Sequence, residues 1–366
     1  MTTYNARNER MKREYLIFLK EAKRRNEASV DGVVAALHRF EVYTGFRDFR
    51  QFHIQQAIGF KRHLAQEKNA RTGKSLSKAT MHTILSALKA FFQWLAGRPG
   101  YKSRLTYADS EYFNLTEKET REAKAHTERP VPTIEQICHV LGLMPAEAEI
   151  ERRNRALIAF TLLTGARDGA IASLKLKHID LVEGRVLHDA REVRTKFSKS
   201  FPTYFFPVGD DARRIVQEWV DFLRTEKLWS NDDPLFPATE VSQGNNQQFR
   251  ASGLAHSHWN TSSPIRNIFR KAFELAGLPY FHPHSFRKTL AQLGERICRT
   301  PEEFKAWSQN LGHEKVMTTF SSYGAVATSR QAEIFRRLGQ PDRPDIPMEA
   351  LAEQLRQIAA CMPSGS

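Results

Sequence analysis

Residues 75–97, "SLSKATMHTILSALKAFFQWLAG", constrain the fold most. Ser and Thr at the front can cap free amide groups, Gly97 stops the run, and Ile84, Leu85, Leu88, Phe91, Phe92 and Leu95 recur at helical spacing. A helix with that face has to bury it, so the surrounding chain must supply a helical core. The neighbouring stretches "ERMKREYLIFLKEAKRR", "VDGVVAALHRFEVYTG" and "FHIQQAIGFKRHLAQEK" carry the same period and are expected to be its partners. On this reading the aromatics of the run are core, not platforms for stacking bases.

At 366 residues the chain has room for two domains, each with its own core. Between Gly97 and Pro132 the apolar period decays into Gly, Pro and mixed charge, which marks a linker. A fresh helix signature opens at "TIEQICHVLGLM". The expected division is therefore a helical domain over 1–105, a linker over 106–130, a second domain over 131–340 and a tail helix over 341–366. Inside the second domain, "RNRALIAFTLLTG" reads as an apolar helix closed by Gly165, and "GRVLHDAREV" with "SFPTYFFPV" alternates as two strands of a small sheet. Helices dominate again afterwards, while the polar stretch 239–262 reads as a loop. The fold class is thus mainly α with a small antiparallel β-sheet.

Charge narrows the partner. Of the net charge of +14, the first hundred residues hold +11, with 19 Lys/Arg against 8 Asp/Glu. Such a field suits a polyanion, and nucleic acid is favoured over a membrane surface. Lys74, Lys78 and Lys89 are the candidate phosphate contacts there. No apolar run approaches the roughly 18 residues of a membrane span, and no signal peptide opens the chain. Cys138, Cys298 and Cys361 are far apart and odd in number, which implies neither a disulfide framework nor a metal knuckle. A cytoplasmic protein without membrane partners is expected.

Five short features follow one another in the second domain: "TGARDGA" with Arg167, "RTKFSKS" with Lys196 and Lys199, "HSFRKT" with His284 and Arg287, "LGHEK" with His313, and "SSYG" with Tyr323. Each alone has a bland reading: a solvated arginine after a glycine stop, a basic turn, a capping histidine, a packed tyrosine. Together they form a cationic set with no acidic ligand cluster, suited to a phosphodiester whose charge is neutralised by side chains. Guanidinium forks match the nonbridging oxygens of a pentacoordinate phosphorus. A lysine can protonate the leaving 5′ oxygen, and a phenolate can attack and later leave.

These boxes resemble those of the tyrosine recombinases of the phage integrase family: "TGAR" the first arginine box, "HSFR" the His-x-x-Arg box, "LGH" the second histidine, and Tyr323 the nucleophile. The N-terminal half, especially "SKATMHTILSALKAFFQWLA" at residues 77–96, also resembles the family's core-binding domain, and the resemblance spans roughly residues 10–338. It implies a SAM-like helical core-binding domain and an α+β catalytic domain that clamp duplex DNA at specific recombination sites. Strand exchange would proceed through a 3′-phosphotyrosine and a Holliday junction in a homotetramer, with no metal or nucleotide cofactor. Arg167 and Arg287 would hold the phosphate charge, assisted by His284 and His313. Lys196 would be the general acid, with Lys199 as second choice and otherwise a DNA contact.

Three departures set this chain apart within that resemblance. The acidic residue often found three after the first arginine is Ala170 here, with Asp168 as a substitute support for Arg167. The residue after the second arginine is Lys288, where histidine is common. Tyr323 is ten positions after His313, where nine is usual. The short leader before residue 10 carries no separate arm-binding domain, which fits simple recombination sites. The tail helix aligns Met348, Leu351, Leu355 and Ile358, a face for this protein's own core or for a neighbouring protomer. A type IB topoisomerase-like relaxation enzyme and a non-cleaving DNA-binding scaffold are the alternative functions.

Overall fold

The structure, a computed structural model, describes residues 4–68, 73–125, 130–195, 199–243, 249–313 and 335–336. It divides into two compact units, Met1–His126 and Thr127–Ser366.

The first unit is helical: α1 (Ala6–Ile17), α2 (Glu27–Thr44), α3 (Ile54–Gln66), α4 (Lys78–Ala96) and α5 (Glu117–Lys124). Local chemistry sets the ends. The Asn5 side chain accepts from the amides of Arg7 and Asn8, Ser77 accepts from Thr80, and Gly45 closes α2 in the left-handed region at φ 62°. The expected face of α4 is buried throughout, with Leu88, Phe91, Phe92 and Leu95 fully inaccessible. Phe40 meets Phe60 and Phe92 edge-on at 5.2 and 5.5 Å, so these aromatics are core. Buried Glu41 accepts from Lys12 at 2.6 Å and from Asn8 at 3.1 Å, which fastens α1 to α2.

The stretch from residue 106 differs from the expected free linker. Phe113, on a helical turn Ala108–Phe113, is buried in the same core, and α5 follows with a Thr116–Glu119 capping box. Isolated anchors hold this segment, Leu105, Phe113 and Leu115, and their irregular spacing leaves no period to read.

In the second unit, α6 (Ile134–Leu143) starts at a Thr133–Gln136 capping box. It is followed by α7 (Glu149–Thr164), the central helix, whose residues 156–164 are all buried. A short α8 (Asp168–Ile171) leads into the sheet β1 (Ile179–Asp180), β2 (Arg185–His188) and β3 (Phe201–Tyr204), antiparallel in the order β1-β2-β3. Along β2, Val186 and His188 face inward while Arg185 and Leu187 face out, as strand alternation requires. α9 (Asp210–Asp221) packs on α7.

Residues 239–243 and 249–254 are not the loop that their polar composition implies. β4 (Thr239–Gln243) pairs antiparallel with β5 (Phe249–Leu254), with a register shift between Glu240 and Val241. Backbone hydrogen bonds and the burial of Leu254 hold this hairpin, and neither leaves an alternating signature in a Gln- and Ser-rich segment. Then come α10 (Ser263–Leu275), α11 (Pro283–Ile297) and α12 (Pro301–Asn310). Asn310 fixes the end of α12 to β3, since its side chain accepts from the Tyr204 amide at 2.7 Å and donates to the Tyr204 carbonyl at 2.9 Å. Among the described residues no helix is long and apolar enough to cross a membrane.

Candidate active site

The first arginine box is built by the end of α7. Gly165 turns the chain with φ 57°, and a Cβ there would sit 3.0 Å from Leu290 Cδ1 and 3.1 Å from Leu311 Cδ2. Glycine is therefore required twice over, by its backbone conformation and by the closeness of α11. Arg167 follows as the N-cap residue of α8, half-buried. Its guanidinium has no hydrogen bond or ion pair among the described residues, and burial lowers its pKa. Asp168 does not support it. The Asp168 carboxylate turns to Arg266, with Oδ2 2.8 Å from Nε, so the substitute role expected for Asp168 is not what the fold uses.

The second box starts α11, where Pro283 occupies the first turn behind the extended His282. Phe286 and Leu290 are fully buried, and Thr289 donates to the Pro132 carbonyl at 2.6 Å. The helix is thereby a fixed mount for His284 and Arg287, one turn apart on the same side. His284 stays exposed at its outer edge. Its pKa is pushed down to about 4, by desolvation first and then by the charges of Arg287, His282, Arg167 and Lys288. It is neutral at pH 7, with a nitrogen lone pair available.

Arg287 joins three boxes. Its Nη1 donates to the Gly165 carbonyl at 2.6 Å, its Nη2 donates to the Leu311 carbonyl, and Nη2 lies 3.1 Å from His313 Nε2. "TGAR", "HSFR" and "LGH" thus converge on one guanidinium that is only 5% exposed. Gly312 is again indispensable, at φ 67° with the Phe201 ring 2.7 Å from where its Cβ would lie.

Arg167, Arg287, Thr164, Arg194, Thr195 and His188 line one recess beside the sheet. Arg194 and His188 escaped the motif reading. The strand alternation that places His188 inward with Val186 was visible in "GRVLHDAREV", but it marks a face, not a function. Lys199 lies on the surface, its amide donating to Thr195 Oγ1 at 3.0 Å. Lys196 and Tyr323 fall outside the described residues, as does the tail helix. Among the described residues no group of three or more His, Cys, Asp or Glu side chains could hold a metal ion.

The candidate DNA contacts of the first unit are unequal. Lys74 is exposed and its ammonium has no bonded partner among the described residues. Lys78 is held by Glu119 at 2.5 Å, and Lys89 by Glu111 at 2.7 Å and Asn114 at 3.1 Å.

Residues 127–330 match the Phage integrase family. This chain belongs to that family. The matched interval of the integrase domain contains every box above, Lys196 and Tyr323 included. Similar proteins are tyrosine recombinases XerC. That of Halalkalibacterium halodurans is 25% identical over 309 residues, covering 79% of this chain and 87% of its own. That of Lactobacillus delbrueckii subsp. bulgaricus is 24% identical over 251 residues, covering 68% and 72%. Among solved structures, a lambda integrase(75-356) dimer bound to a COC′ core site shares the fold. Its TM-score is 0.59 at 13% identity, over 92% of this chain and 99% of that one. XerH bound to a palindromic difH substrate gives a TM-score of 0.57 at 18% identity, over 88% and 83%. This integrase-family chain is accordingly a tyrosine recombinase by family, and its mainly helical fold with small antiparallel sheets is shared with those structural neighbours.

Proposed function

We propose that this chain cleaves and rejoins DNA strands at specific sites through a 3′-phosphotyrosine on Tyr323. The observation that carries the reading is the convergence of three sequence boxes on Arg287, beside an Arg167 with no protein partner among the described residues. A recess lined by guanidinium groups, with no carboxylate among its lining residues, is matched by an anion.

In this mechanism the scissile phosphate lies against Arg167 and Arg287, whose charge stabilises the pentacoordinate state more than the ground state. The Tyr323 oxygen attacks phosphorus, and neutral His284 accepts the phenolic proton or a hydrogen bond from it. As the P–O5′ bond breaks, Lys196 delivers a proton to the leaving 5′ oxygen. The phosphotyrosine ester conserves the bond energy, so a 5′ hydroxyl of another strand reverses the step without metal or nucleotide. His313 helps place the phosphate. The basic first unit grips the duplex, with Lys74 as its most available cation, and four copies on two sites exchange strands through a Holliday junction.

The test is to incubate the protein with nicked suicide duplexes carrying its recombination site and look for a covalent adduct. The adduct is expected with the wild type and absent with Tyr323→Phe. No adduct on a site that the protein demonstrably binds would sink the recombinase reading and leave a DNA-binding scaffold. Relaxation of supercoiled DNA lacking the site would instead favour a topoisomerase.

A further inference from the structure

The mechanism above makes no use of the buried histidine at the end of β2. His188 ends β2, only 3% exposed, directly opposite Phe201 in the strand register and stacked on that ring at 4.7 Å. An apolar residue would satisfy the same packing, as Val186 does two positions earlier on the same face. Instead the strand brings an imidazole to the recess lined by Arg167, Arg287 and Thr195. Its Nδ1 is buried and has no hydrogen-bond partner among the described residues. Native proteins pair nearly all buried polar atoms, so an orphan of this kind at a cationic recess points to a missing ligand.

The charges that act on the ring are Arg287 from α11, Arg167 from the start of α8 and His178 from the turn before β1, while β3 contributes only the Phe201 ring. Burial first, and then these charges, all positive or titrating to positive, disfavour a second proton and keep the imidazole neutral. A neutral imidazole carries one N–H and one lone pair. An oxyanion arriving between the two arginines offers the acceptor that the protein withholds, and it compensates the charges that keep the ring neutral.

We propose that His188 is a further phosphate-contacting residue of this site, its Nδ1–H meeting an oxygen of the phosphate that Arg167 and Arg287 hold. The inference rests on the reading that the recess receives a phosphodiester. It adds a donor from the sheet to those from the helices, so the phosphate is gripped from two sides. Phe201 then has a second task beyond packing: it fixes the plane of the imidazole.

The experiment uses the full chain labelled with 15N-histidine and titrated with inorganic phosphate at constant ionic strength set by chloride. The His188 resonances are identified by their loss in His188→Asn. Saturable movement of the Nδ1 resonance is expected, abolished in Arg167→Ala. Phosphate affinity should fall about tenfold in His188→Phe, which keeps a ring to stack on Phe201 but has no donor. His188→Asn places an amide nitrogen near the Nδ1 position and should retain most of the affinity, whereas His188→Gln should not. A resonance unmoved by saturating phosphate overturns the proposal, and so does wild-type affinity in His188→Phe. The wild-type resonance decides the matter even if His188→Phe fails to fold. A shifted resonance in a protein that forms no Tyr323 adduct would keep the phosphate contact and remove the recombinase. An adduct with an unmoved resonance would do the reverse.

Discussion

Arg287 Nη2 and His313 Nε2 lie 3.1 Å apart, and because a guanidinium can only donate, Nε2 is the acceptor and the His313 ring proton sits on Nδ1. Nε2 is thereby committed to the arginine. The same arginine satisfies two buried carbonyls, so it has an architectural task besides the phosphate contact proposed for it.

That double duty predicts a double loss in Arg287→Ala. Orphaning the Gly165 and Leu311 carbonyls should lower stability by about 2–5 kcal/mol, read by denaturant unfolding. Cleavage should fall much further than DNA binding, because the charge acts mainly on the transition state. Equal losses in cleavage and binding would reduce Arg287 to a phosphate anchor.

Arg167 should behave differently. It has no protein partner among the described residues, so Arg167→Ala should change unfolding stability by less than about 1 kcal/mol while cleavage falls at least about 100-fold. A large stability loss would mean that Arg167 is a structural residue.

Gly165→Ala tests the backbone that links the first two boxes. A left-handed φ of 57° strains any side chain, and contacts of 3.0 and 3.1 Å would require the leucine methyl groups to give way by a few tenths of an ångström. Destabilisation of about 2–4 kcal/mol is expected, measured by thermal or denaturant unfolding. A neutral substitution would show that α7 and α11 separate easily.

Acid should destabilise the second unit through its buried imidazole. The folded-state pKa of His188 is about 4 against an ordinary value of 6.5, with burial as the leading cause, so between those values the unfolded chain binds the extra proton. Stability is then complete above about pH 6.5 and is lost as pH falls toward 4, on the order of 3 kcal/mol in total. His284 adds to the same window in the same direction. Unfolding curves at pH 7 and pH 4.5 should differ less in His188→Phe than in the wild type; an unchanged difference would contradict the assignment.

Salt dependence separates the lysines of the first unit. Lys74→Gln should weaken DNA binding and reduce the slope of log affinity against log salt by about one. Lys78→Gln and Lys89→Gln should change that slope less, since Glu119 and Glu111 already neutralise those ammonium groups. Equal slopes for all three variants would mean that DNA displaces both carboxylates.

Most helices were legible because their causes are local. Caps at Ser77 and Thr133, stops at Gly45 and Gly165, and the apolar face of α4 each lie within a few residues of what they control. The boxes were legible too, as residue types in a fixed order. Where the order is carried by long-range contacts, the sequence is silent. The ladder of 239–243 with 249–254 is made by backbone pairing that its polar side chains do not announce, and Phe113 reaches the core without a periodic stripe.

By itself, then, the sequence determined helix positions, the small sheet, the excess of charge near the start and the boxes that supply the candidate site residues. Only the tertiary structure decided how those groups are used. It sent Asp168 to Arg266, 98 residues away, closed Arg287 onto a carbonyl 122 residues away, and neutralised Lys78 with Glu119 while leaving Lys74 open to solvent. It also buried His188 beside two guanidinium groups from other elements. The physical reason is common to all four. A side chain's charge and periodicity are written in its neighbours along the chain, but its hydrogen-bond partner and dielectric surroundings exist only once distant segments have packed together.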